Sequence, residues 1–371
     1  MLKRVVFPAL LLLLVLVAAA SAQSGGSAPG TTPAAPSDPT AGLTVSQLIG
    51  QRMIFSYDGT TPPSGLRRRI AAGEAAGLIL FADNVGSRAR LRATLRGLQA
   101  IRRPAAVRAP LLVMIDQEGG LVKRLSGAPS RSPAQLGRIG SADLARREGR
   151  ATAANLRDVG VNVNLAPVVD VGRRGTFQAR TERSYSSNPT RVSAMAVAFV
   201  GGLQERGVAA TLKHFPGLGT VFQDEDAVAQ TVRLPLATLR RIDESPFVAG
   251  ARAGVKLVMT STAIYPALSS RPAMLSPRVS TGELRGHAGF QGVSITDDIS
   301  VRALRRFGSL AANGREATQA GNDLLLYCGS YANGAGSADA LVRDARAGRL
   351  STSAMRASVR RVLALRAQLA G

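Results

Sequence analysis

Eight short, almost wholly apolar runs recur along the chain, at residues 52–57, 77–81, 111–116, 161–166, 209–214, 257–264, 292–297 and 323–328. Between them lie longer stretches where alanine, leucine and arginine repeat at helical spacing, as at 88–102, 142–159, 190–206, 239–253 and 313–320. Strands that are apolar on both faces belong in a sheet covered on both sides, and strands separated by helices pair in parallel. Eight such units predict a (β/α)8 barrel. A doubly wound open sheet shares the alternation, but no glycine-rich phosphate turn follows the first strand. The spacing also predicts a closing helix over 352–370. It carries Met355, Val359, Val362, Leu363 and Leu369 on one face, as an outer-ring helix packed on the barrel would.

The first 42 residues show neither period. Lys3 and Arg4 precede an apolar run from Val5 to Ala20, which ends in Ala20-Ser21-Ala22. That is the layout of a secretory signal peptide over residues 1–22, too short for a spanning helix. No cysteine follows it to carry a lipid. Residues 23–42, rich in Gly, Ser, Pro, Thr and Ala, predict a flexible linker. A single domain is expected over 43–371, exported to the periplasm, the cell wall or the medium, with no membrane span after cleavage.

Composition narrows the function classes. The net charge of +23 raises nucleic-acid binding as a possibility. Lysine stands only at Lys3, Lys123, Lys213 and Lys256, however, and the remaining cations are arginines spread along helices. Aromatics are 4% and tryptophan is absent, poor material for base stacking, so no nucleic-acid partner is expected. Attraction to an anionic wall polymer suits the charge better. The one cysteine, Cys328, permits no intrachain disulfide and reads as a small buried hydrophobe. Two histidines, one cysteine and no spaced ligand motif give no reason to expect a metal, and no cofactor is expected. A monomer is expected.

Chemistry gathers where the apolar runs end. Gly292-Val293-Ser294-Ile295-Thr296-Asp297-Asp298 takes a buried strand straight into two carboxylates. Other strands end in Asp116-Gln117-Glu118-Gly119-Gly120, followed by Lys123-Arg124, and in Lys213-His214-Phe215-Pro216-Gly217. Asn164-Leu165-Ala166-Pro167-Val168-Val169-Asp170 continues to Glu182-Arg183. Helix caps and turns explain any one of these. Repeated at one end of a barrel, they describe an active face.

These motifs, with Gly77-Leu78-Ile79-Leu80-Phe81, resemble the N-terminal barrel of glycoside hydrolase family 3, in particular its bacterial β-N-acetylhexosaminidase branch. The likeness runs from about Leu43 to the C-terminus. It implies retaining hydrolysis through a covalent glycosyl-enzyme, with Asp297 at the nucleophile's position. It also implies that Asp116, Arg124, Arg183, Lys213 and His214 hold the sugar. Asp298, Glu118 and Asp170 read instead as structural acceptors of loop amides or partners of arginines. The substrate implied is a β-linked glycan, chiefly β-N-acetylglucosaminides of peptidoglycan or chitin type.

The chain departs from the family on the loop after the fifth strand. The branch carries its proton donor there as a histidine two residues after an aspartate. Here the aspartate position is Asp224 and the histidine position is Asp226, and a second loop histidine is replaced by Leu218. A histidine often found after the sixth strand is replaced within Thr260-Ser261-Thr262. Two readings follow. Asp226 serves as acid/base, its pKa raised by Asp224 and Glu225; or the loop is a solvated acidic turn on a glycan-binding, catalytically impaired wall protein. β-Glucosidase-like specificity is the other alternative.

Overall fold

The eight apolar runs are strands of one parallel sheet in the computed structural model, which describes residues 38–370. They are β1 (Met53–Phe55), β2 (Gly77–Leu80), β3 (Leu112–Ile115), β4 (Val163–Asn164), β5 (Ala209–Phe215), β6 (Leu257–Thr260), β7 (Val293–Thr296) and β8 (Leu325–Leu326). Neighbours in sequence are neighbours in the sheet, and β8 returns to β1 with Met53 opposite Leu325. A parallel bridge between Ile295 and Leu324, with Thr296 N–H donating to Leu324 O, joins β7 to β8. The sheet is thereby closed into the expected (β/α)8 barrel.

Alternation along the strands sorts the core. Ile54, Ile79, Met114, Val163, Leu257, Met259 and Ile295 point inward and fill the barrel. The residues between them, such as Phe55, Leu78, Val113 and Val258, face the helices. The outer helices are capped where the sequence provides caps. Ser141 Oγ accepts from Leu144 N–H at the start of Ala142–Val159, and Gly160 (φ 94°) ends that helix in a left-handed turn. This helix packs so closely on Pro189–Gln204 that a methyl group on Gly202 would lie 2.1 Å from Arg146 O. The segments predicted over 142–159, 190–206 and 313–320 match helices Ala142–Val159, Pro189–Gln204 and Leu310–Gln319.

The closing helix, Thr352–Gln368, departs from its expected place. Val362 and Leu365 join the cluster inside the barrel, and Arg361 pairs with Asp323 at the start of the eighth unit. Buried Arg366 donates to Pro110 O (2.8 Å) and Val107 O (3.0 Å) in the loop before β3. The helix therefore seals the end of the barrel opposite the strand tips. An open barrel end exposes apolar side chains, and this face of the helix covers them.

From Pro39 onward the chain is one compact unit. The signal peptide at 1–22 and the linker up to residue 37 lie outside the described residues. Among the described residues no helix is long and apolar enough to cross a membrane.

Candidate active site

A pocket of about 290 Å³ opens at the C-terminal ends of the strands. Its lining includes every residue singled out as a site candidate: Asp116, Arg124, Arg183, Lys213, His214, Asp224, Asp226 and Asp297. Seven of the protein's 24 acidic residues face it, against three cations. The excess positive charge of the protein therefore belongs to its outer faces, and the mouth of the barrel is acidic.

Each strand tip is braced by hydrogen bonds. After β3 the chain turns into a short hairpin, Gln117–Gly119 with Val122–Lys123. Gln117 N–H donates to Asn164 Oδ1 (3.0 Å) and Asn164 Nδ2 returns a bond to Gln117 O (3.1 Å), tying the ends of β3 and β4 together. Near the C-terminal end of β5, Lys213 Nζ is 2.6 Å from Asp116 Oδ1 and 2.7 Å from Glu118 Oε1. Arg183 holds Glu118 from the other side through Nε (2.8 Å) and Nη2 (2.9 Å). Glu182, just before it, adopts the left-handed backbone region, φ 57°. Burial alone would raise the Glu118 pKa, but the two cations outweigh it and hold the carboxyl well below the usual range. The same acids keep the buried Lys213 charged.

His214 is fixed by Asp170. Its Nδ1 lies 2.8 Å from Asp170 Oδ2, and Asp170 Oδ1 accepts from the His214 and Leu218 backbone N–H groups. Burial lowers the His214 pKa against the pull of Asp170, so the ring is neutral at pH 7. Nδ1–H then donates to Asp170, and the Nε2 lone pair faces Glu225 Oε1 at 3.8 Å. Arg124 lies at the pocket wall over the Phe81 ring, and its buried Nε has no protein partner.

Asp297 stands at the tip of β7, half-buried, with its backbone N–H donating to Thr260 O (2.9 Å). Its carboxylate accepts from Asp298 N–H at 2.8 Å. Asp298 accepts from the Ser300 and Cys328 N–H groups (2.7 and 2.9 Å), which fixes the turn after the strand. Burial, then Asp226, raises the Asp297 pKa, while the Asp298 amide and Lys213 oppose the rise.

The acidic loop separates its three carboxylates. Asp224 is exposed and accepts from Asp226 N–H at 3.1 Å, so it shapes the loop. Asp226 stays in contact with solvent at the pocket, where burial of its carboxyl and then Asp224 and Asp298 push its pKa up to about 6. Glu225 turns inward, buried, and accepts from Thr262 Oγ1 at 2.9 Å. One Glu225 oxygen, a ring nitrogen of His214 and an Asp297 oxygen all lie within 4.8 Å of one another. Burial, then Asp297 and Asp226, raises the Glu225 pKa well above its ordinary value. Three crowded carboxyls cannot all ionise. Lys213 and a backbone amide oppose the rise at Asp297, Arg183 opposes it at Asp226, and Thr262 opposes it at Glu225.

Sequence reasoning treated Glu225 only as a neighbour acting on Asp226. The available signal was that Glu225 and Thr262 fall on the two loops where family histidines are missing, and the structure bonds them to each other. Cys328 also differs from expectation, being half-buried on the pocket wall because it follows β8 into the mouth. Burial pushes its thiol pKa up, so it is no thiolate nucleophile.

Comparison with known proteins agrees with this geometry. The family model described as "Glycosyl hydrolase family 3 N terminal domain" matches residues 45–365. An "Uncharacterized secreted glycosyl hydrolase" of Arthroderma benhamiae is 38% identical over 344 residues, 91% of this chain and 97% of that protein. A beta-hexosaminidase of Xanthomonas oryzae is 39% identical over 284 residues, covering 74% of this chain and 83% of the relative. Among solved structures, a family 3 beta-N-acetylglucosaminidase from a Paenibacillus strain superposes with a TM-score of 0.84 at 34% identity over 88% of this chain. This chain spans only 63% of that larger protein. It spans 98% of the Beta-N-acetylhexosaminidase of Beutenbergia cavernae, with TM-score 0.81, 30% identity and 87% of this chain covered. With a barrel of this topology, an acidic strand-tip pocket and a family match over most of its length, the chain belongs to glycosyl hydrolase family 3 and is a glycoside hydrolase.

Proposed function

We propose that this chain is a secreted, retaining β-N-acetylhexosaminidase acting on peptidoglycan or chitin-type fragments, with Asp297 as nucleophile and Asp226 as acid/base. The observation that carries the reading is the coupling of these two carboxyls in one pocket. Asp297 has Lys213 and a backbone amide to stabilise its charge against burial, and the Asp226 pKa is pushed up to about 6 in contact with solvent. That division is what double displacement requires. Asp297 attacks C1 while Asp226 gives its proton to the glycosidic oxygen, releasing the aglycone as an alcohol and leaving a glycosyl ester on Asp297. Asp226, now a carboxylate, takes a proton from water as the water attacks C1, which frees Asp297 and regenerates the acid.

Asp116, Lys213, Arg124, Arg183 and His214 supply the sugar contacts. Lys213 and Asp116 present a charged donor and acceptor side by side, and the unpartnered Arg124 Nε needs an acceptor from the ligand. The relatives named for hexosaminidase and N-acetylglucosaminidase activity support an N-acetylated substrate. The signal-peptide pattern and the relative named as secreted support export.

The test combines turnover with trapping. Aryl β-N-acetylglucosaminide should be cleaved faster than aryl β-glucoside, and 5-fluoro glycosyl fluoride should leave a mass adduct on the peptide containing Asp297. A faster aryl β-glucoside would reassign the specificity. No adduct, with Asp297→Ala as active or inactive as wild type on both substrates, would leave a glycan-binding protein instead.

A further inference from the structure

A second group of acids lies away from the pocket, between the two helical segments that follow β5 and β6. Glu244 joins the π-type turn Leu239–Asp243 to the helix Ser245–Arg252. Its side chain is 0% exposed, and neither carboxylate oxygen meets a hydrogen-bond donor. A fully buried carboxylate left in this condition is costly. Burial and then the neighbouring buried carboxyl of Glu283 push the Glu244 pKa up to about 9, so without a cation Glu244 holds a proton against Glu283. Glu283 sits on the π-type helix Arg278–His287, where residues four apart fall on one side, and His287 accompanies it there. His287 Nε2 is 3.8 Å from Glu244 Oε2, and donor atoms of Glu244, Glu283 and His287 lie within 4.8 Å of one another.

We propose that Glu244, Glu283 and His287 form a binding site for a divalent transition metal of the zinc class. Two carboxylates and an imidazole are ligands zinc accepts, with a fourth position left to water. At bond lengths of about 2.1 Å, neighbouring ligands of a tetrahedral zinc stand about 3.4 Å apart. The 3.8 Å between His287 and Glu244 closes to that value with a small ring rotation. Arg240 fits the role of an outer partner. It grips Glu283 through Nε (2.6 Å) and Nη2 (3.0 Å), and each carboxylate oxygen keeps a lone pair for a metal. His287 is 38% exposed on its side chain, which supplies an entry route. The ion would clasp the helix after β5 to the helix after β6. The helical segment after β5 begins at Leu236, so the clasp would hold the chain downstream of the acidic loop.

The experiment uses the full chain, stripped with EDTA and titrated with zinc chloride by calorimetry, with thermal unfolding in parallel. Wild type should take up one zinc and unfold at a higher temperature with it. His287→Ala, at an exposed position, and Glu244→Gln should each weaken uptake by about 100-fold or more, while aryl glycoside turnover by His287→Ala stays unchanged. The pocket trio His214, Glu225 and Asp297 also brings three donor atoms within 4.8 Å. Asp297→Asn serves as the control and should bind zinc like wild type. Absence of uptake, wild-type uptake by His287→Ala and Glu244→Gln, or loss of uptake in Asp297→Asn alone would overturn the assignment. A wild-type protein that zinc leaves no more stable, matched in melting temperature by Glu244→Gln, would show that a shared proton, not a metal, joins the two glutamates.

Discussion

Replacing Glu118 with glutamine tests the charge network that shapes the pocket. Glu118 is 0% exposed on its side chain and receives two bonds from Arg183 and one from Lys213. A glutamine at this position would carry no charge and would turn an amide N–H₂ against one of the two cations. Removing one partner of a buried ion pair costs about 3–5 kcal/mol. Lys213 keeps Asp116 at 2.6 Å, so the lower end, about 3 kcal/mol, applies. For a domain of this size that lowers the melting temperature by about 4 °C. The pH dependence follows from the sign of the shift. The folded pKa of Glu118 lies below its ordinary 4.5, so its stabilisation is complete above that value and is lost as pH falls toward the folded pKa. Urea unfolding of wild type and Glu118→Gln from pH 7 down to pH 3 should show a gap that narrows below about 4.5. A difference under about 1 kcal/mol at pH 7, or one that widens on acidification, would refute the network.

Three further outcomes are expected. Asp226→Asn should slow hydrolysis of alkyl glycosides by about 10²–10⁴-fold while sparing activated aryl leaving groups. Wild-type activity should fall as pH rises through about 6, and the variant should lack that alkaline limb; equal loss on both substrate types would deny it an acid role. Glu225→Gln, which copies the protonated side chain, should keep kcat/KM within about tenfold of wild type. Because the folded pKa of Glu225 is raised, its contribution to stability is present below 4.5 and lost as pH climbs through the folded value. The variant should therefore unfold with a flatter alkaline profile, and a loss of activity as deep as that of Asp297→Ala would contradict this placement. Gly202→Ala should destabilise by about 1–3 kcal/mol in thermal unfolding, since the added methyl meets Arg146 O at 2.1 Å; an unchanged or raised melting temperature would show that the helices can part.

The alternation of apolar strands and arginine-rich helices determined the barrel from sequence alone, because burial on both faces leaves a parallel strand few polar positions. Strand-end placement also made Asp116, Lys213, His214 and Asp297 legible, since a charge that ends a buried run must meet a partner or a ligand. Tertiary structure decided the matters of direction. Asp224, Glu225 and Asp226 are adjacent and chemically alike, yet the first shapes the loop, the second turns inward to Thr262 and His214, and the third remains in contact with solvent at the pocket. No periodicity governs an irregular loop, so only its packing against the segments after β6 and β7 assigns those directions. The closing helix makes the same point, because an apolar face states that something is covered and not which surface. Glu244 and Glu283 are 39 positions apart in sequence, and only the packing of two helices leaves one of them buried without a donor.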